Sequence, residues 1–127
     1  MPNSDLVRAR DALNRARSDP LAGLAEAEAI LNATDGPEAV ATARYALGMA
    51  LRTQFKLDEA QRTLQQAAGE ALAAGFESLG GRALLTLSGA FAMAGQMADA
   101  FNVAARASEY LEGGDLAAAQ VQMATLL

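Results

Sequence analysis

The 127-residue chain contains no cysteine, no histidine and no tryptophan. Lacking cysteine, it can form no disulfide, no thiolate nucleophile and no zinc–thiolate site. Lacking histidine, it is without the commonest metal ligand and the commonest general base near neutral pH. Aromatic residues make up 5% of the chain, and no alternating run of β-branched or aromatic residues reads as a strand. Lysine occurs once, at Lys56, and the formal net charge is −5. Nucleic-acid binders carry a basic footprint, so this balance argues against a nucleic-acid partner. No stretch approaches the roughly 18 consecutive apolar residues of a membrane span, and the N-terminus MPNSDLVRAR has no apolar h-region. The composition reads as a cytoplasmic protein with no membrane association.

What the chain does have is alanine, the best helix former, and punctuation at regular intervals. The pattern predicts an all-α fold of about seven helices, near 4–17, 20–33, 37–54, 57–74, 77–94, 97–112 and 115–127. Asp19 is expected as an N-cap with Pro20 at the first helical position, and Pro37 opens the third helix. Gly75 and Gly95 are expected as left-handed helix ends, and Asp115 as the cap of the last helix. Short connections imply antiparallel neighbours. The result is one domain over 1–127: hairpins at about 4–33, 37–75 and 77–112, then an unpaired helix at 115–127.

A step of forty residues runs through this pattern. Leu47 recurs as Leu87, Leu51 as Phe91, Leu57 as Met97, Ala60 as Ala100 and Ala67 as Ala107, while Gly48 becomes Ser88. Gly75 and Phe76 are echoed, 39 residues on, by Gly114 and Asp115, and Leu127 falls one step of forty after Leu87. The middle unit reads Arg44-x2-Leu47-Gly48-x2-Leu51, then Ala60-x3-Leu64 and Ala67. The next reads Leu84-x2-Leu87-Ser88-x2-Phe91, then Ala100-x3-Ala104 and Ala107. The spacing is explained by packing. Small Gly48 and Ala60 let two helices approach, and Leu47, Leu51 and Leu64 fill the seam.

Over about 37–112 these intervals resemble the tetratricopeptide repeat, whose pattern is W-x2-L-G-x2-Y followed by A-x3-F. Arg44 replaces the usual aromatic residue, Phe55 occupies the inter-helix glycine position, and the period is longer than the family's. The first hairpin matches only through Gly23-x3-Ala27 and the stripe Leu6, Ala9, Leu13, Ala16, as terminal repeats often do. The resemblance implies a right-handed α-solenoid with a concave groove that binds a peptide or a partner protein. Register puts Thr42, Tyr45, Met49 and Arg52 on the groove face from the middle unit. From the third unit it puts Arg82, Leu85, Gly89, Ala92 and Met93 there. Arg52 and Arg82 would grip a carboxylate, and Tyr45, Met49 and Met93 would supply adaptable apolar surface. The long Ala- and Arg-rich hairpins are also similar to the repeat regions that precede bacterial caspase-like CHAT peptidase domains. On that likeness, any catalytic residues would lie in a region absent from this chain.

After Asp115 the final helix carries no charge. Leu116, Val121, Met123, Leu126 and Leu127 form an apolar face, expected either to meet a further repeat in a longer protein or to pair with a second copy as a homodimer. No catalytic residue, cofactor or metal site is expected. Glu26 and Glu28, two apart on a helix, point in different directions. Asp58 and Glu59 complement the positive end of their helix. Arg8, Arg10, Arg15 and Arg17 read as the solvated face of a capping helix. Gly80-Gly81 lacks the spacing of a phosphate loop and is expected to loosen the first turn of the fifth helix.

Overall fold

In the computed structural model, which describes residues 2–127, the chain forms seven helices. They are α1 (Pro2–Ser18), α2 (Pro20–Ala33), α3 (Pro37–Thr53), α4 (Leu57–Ala73), α5 (Glu77–Met93), α6 (Met97–Ser108) and α7 (Gly113–Thr125). No strand occurs among the described residues, and no helix in them is long and apolar enough to cross a membrane.

Each helix packs on the next, and α1 also packs extensively on α3. The side-chain contacts fix direction. Arg44 of α3 pairs with Glu70 of α4, and four residues on, Gly48 lies against Leu64. Position rises along α3 as it falls along α4, so the two run antiparallel. A β-carbon on Gly48 would lie 2.6 Å from Leu64 Cγ, so any side chain there would have to displace Leu64. At the α1–α2 seam the neighbour is backbone rather than side chain. A β-carbon on Gly23 would stand 2.7 Å from the Ala16 Cα. Alanine fills most of the core, with Ile30, Leu64, Leu87 and Ser88 the largest fully buried side chains. Close helix approach compensates for small side chains: with little volume per residue, backbones must come together to leave no void.

The caps follow the sequence in part. Asp19 accepts a hydrogen bond from the Ala22 amide at 3.3 Å, with Pro20 next in the chain. Gly75 and Gly95 adopt left-handed conformations with φ of 87° and 79°. Phe55 takes the same role in the α3–α4 turn with φ of 60°, the one left-handed non-glycine residue described. At α7 the expectation fails. Glu112 is the N-cap, and Asp115 lies inside the first turn. The forty-residue step also fails there. α5 starts 40 residues after α3, but α7 starts 36 after α5. The cause is α6, which has 12 residues where α4 has 17. The pair Gly114–Asp115 and the terminal Leu127 therefore do not continue the earlier register.

Gly80 and Gly81 do not loosen α5. Both are buried, and β-carbons there would lie 2.6 Å from Leu72 Cγ and 2.7 Å from Leu111 Cδ2. They are the contact points where α5 receives a leucine from each side. The stripe of α1 behaves as read: Ala9, Leu13 and Ala16 are buried, joined by Ala12, and Leu6 is half-buried. Leu47 is half-buried against the core rather than enclosed in it.

Candidate functional site

Two clefts open between alternate helices. The first, of about 510 Å³, lies between α1 and α5 with α3 at its base. Leu13, Thr42, Phe76 and Leu79 supply its apolar surface and its floor, and Arg10, Glu38, Glu77 and Arg82 its charges. Arg10 and Glu38 are paired across it at 3.5 Å. The second, of about 270 Å³, lies between α3 and α7 with α5 at its base. It is lined by Arg52, Leu85, Thr86, Gly89, Ala118 and Gln122. The two arrangements are equivalent, shifted by one helix pair.

The expected groove residues divide. Arg52 and Leu85 line the second cleft, and Thr42 and Arg82 the first. Gly89 forms part of the second floor. Tyr45 and Met49 reach neither cleft and are 3% and 4% exposed, so they offer no adaptable surface to a ligand. The reason is their size at a crowded position. α1 and α5 both flank α3, and these side chains fill the space between. The Tyr45 hydroxyl meets Thr86 Oγ1 at 2.8 Å. Thr86 gives its own proton to the Arg82 carbonyl at 3.1 Å, so Tyr45 is the donor and ties α3 to α5. Thr42 is also buried, at 3% exposure, and contributes only an edge to the first floor. Met93 is exposed but lines neither cleft, and Ala92 is half-buried.

No family model matches this chain, and no curated protein or solved structure matches it either.

The cleft walls leave no mark in the repeat spacing. Arg10, Asn14 and Ala118 come from helices outside the two matched units, and no spacing within those units points to them. Ser88 was read only as a small residue. It is fully buried, donates to the Ala100 carbonyl at 2.7 Å and accepts from Gln122 Nε2 at 3.4 Å. One hydroxyl thereby joins α5, α6 and α7 and orients the Gln122 side chain at the edge of the second cleft. The basic residues of α1 are partly engaged. Arg15 faces Asp11 at 3.6 Å and Glu26 at 3.4 Å.

The apolar face expected on α7 is not one surface. Leu116, Met123 and Leu126 are half-buried on the side of buried Ala119, packed against the core or at its edge. Only Val121 and Leu127 of that set stand out in solvent, at 63% and 94% exposure.

Proposed function

We propose that this chain is a non-catalytic interaction module built as a tetratricopeptide-like stack of helical hairpins. It binds a segment of a partner protein in a groove formed by α1, α3, α5 and α7. The observation that carries this reading is the repetition of the cleft. Two openings of the same construction follow one another between alternate helices, the first with Glu38 and Thr42 of α3 at its base, the second with Leu85, Thr86 and Gly89 of α5, and each with charged or amide groups on the walls. A chain lying along both would put successive side chains into successive clefts, as repeat modules use their curvature. The forty-residue step and the Gly48–Leu64 and Ser88–Ala100 seams support the same architecture.

The test is selection of binders from a random peptide library displayed against the full chain, mapped by amide chemical-shift changes. Selected peptides are expected to perturb residues of both clefts. The double variant Arg52→Glu, Arg82→Glu should lose acidic binders while its melting temperature stays nearly constant, since neither side chain makes an ion pair in the described structure. Peptides that perturb no cleft residue, or that bind wild type and double variant equally, would overturn the reading. Sedimentation of the same samples examines the other use of these helices. A dimer lost on Val121→Glu would make self-association through α7 the function instead.

A further inference from the structure

Three arginines have acidic partners: Arg10 with Glu38, Arg15 with Asp11 and Glu26, and Arg44 with Glu70. Arg52 has none within ion-pairing distance among the described residues. Its side chain leaves the last turn of α3 and crosses to α5. There Nη1 comes within 2.9 Å of the place a β-carbon would occupy on Gly89. Its Nη2 donates to Met49 Sδ at 3.5 Å, and thioether sulfur is a weak acceptor. Its Nε is buried and meets no acceptor in the protein. A guanidinium stays charged at any physiological pH and presents five N–H donors. Held half out of water without a counter-charge, it is under-satisfied.

The two clefts differ in charge. Arginine and glutamate balance in the first, which holds two of each, whereas Arg52 is the sole charged residue of the second. The group that completes such a site is an anion shaped for the guanidinium fork. A carboxylate fits through two parallel hydrogen bonds. A phosphate dianion would call for a second cation, and none lines this cleft. The remaining lining suits a short acidic side chain, with Leu85 and Ala118 beside its methylenes and Gln122 at the rim.

We infer that the second cleft is a carboxylate subsite, taking an aspartate or glutamate side chain of the bound segment through Arg52. Gly89 is the positioning residue that leaves room for the guanidinium. The inference rests on the groove-binding reading above and narrows its ligand.

The test is NMR titration of the full chain with three probes: acetyl-Ala-Glu-Ala-amide, acetyl-Ala-Gln-Ala-amide, and acetyl-Ala-Ala-Ala with a free carboxylate. The glutamate peptide is expected to shift the Arg52 Nε–H and Gly89 amide signals saturably, and the glutamine peptide to leave them in place. Arg52→Gln should weaken the glutamate peptide by about tenfold or more, as loss of a charge-assisted hydrogen bond does. Gly89→Ala supplies a milder variant. Its new methyl meets only the mobile end of Arg52, so the fold is kept while the guanidinium is pushed aside, and binding should weaken again. Equal response to the glutamate and glutamine peptides, no response to either, or undiminished binding by Arg52→Gln would overturn the inference. A response to the free-carboxylate peptide alone would overturn the side-chain assignment in favour of a chain terminus. Library peptides that perturb both clefts yet bind Arg52→Gln as tightly as wild type would leave the groove reading standing and remove this one.

Discussion

The α3–α4 and α5–α6 pairs share a register and differ in what they do with it. In the first, Tyr45 and Met49 are both buried. One step on, the same positions are Leu85 and Gly89, and both line an open cleft. On the seam side the order of size reverses: Gly48 is followed by Ser88, with a hydroxyl that must be bonded and is. In the turn, strained Phe55 is followed by relaxed Gly95. Over these two pairs the step therefore specifies the backbone, and the side chains placed on it decide whether the space between alternate helices is filled or open. An opening needs a small residue on the base helix and a longer one reaching in from its neighbour, which is the arrangement of Gly89 and Arg52.

The comparison breaks most completely at the seam. Leu64 is fully buried and lies against Gly48, and one step on its place is taken by the buried Ala104. Leu64→Asp buries an unpaired carboxylate in a site with no room to turn outward, and should cost about 4 kcal/mol or more, enough to unfold much of the population. Leu47→Asp is the control. Leu47 is half-buried, so its carboxylate can reach water and the loss should be about 1–2 kcal/mol. Chemical denaturation followed by circular dichroism separates the two. Equal losses would mean that the two leucines are equally enclosed and the α3–α4 seam is drawn wrongly.

How far the sequence was legible depends on which interactions set each feature. Helix number and type followed from local signals, with Asp19, Pro20, Pro37, Gly75 and Gly95 acting within one turn of themselves. Inward stripes such as Ala9, Leu13 and Ala16 followed from period alone. The end of the chain did not. The shortened α6 ends at Ser108, and that truncation carries no glycine or proline signal until Gly113. The clefts were half legible. Register put Arg52, Leu85 and Gly89 on residues that line a cleft, but exposure along α3 and α5 is set by how α1, α5 and α7 pack around them, which is a tertiary fact. Tyr45 and Met49 were misread for that reason, and Gln122 and Ala118 were missed for the same one. Gly80 and Gly81 show a similar limit: a glycine pair reads as flexibility until the leucines that occupy its missing side chains are in place.

A pair of exchanges sharpens the seam comparison at intermediate cost. Gly48→Ser adds a β-carbon where Leu64 already stands at 2.6 Å, and overpacking of this kind should cost about 1–3 kcal/mol. Ser88→Gly removes the bond to the Ala100 carbonyl and releases Gln122, and should cost about 1–2 kcal/mol. The second variant has a further signature. With Gln122 unanchored, amide exchange in α7 should rise more than in α2. Uniform exchange changes would show that Ser88 does not hold α7.

The smallest effect, and the one of opposite sign, lies in the turns. Phe55 has φ of 60° and is 73% exposed, while the equivalent α5–α6 turn uses glycine. A side chain in the left-handed region costs about 1–2 kcal/mol, whereas glycine pays its own entropy of about 0.5–1 kcal/mol. Little packing is lost when so exposed a ring is removed. Phe55→Gly should therefore stabilise the chain by a few tenths to about 1 kcal/mol, seen as a higher denaturation midpoint with unchanged slope. Gly95→Phe should do the reverse. If Phe55→Gly gives no gain or destabilises, then the ring makes contacts that offset its backbone strain. The α3–α4 turn would then be held by packing where the α5–α6 turn is held by conformation.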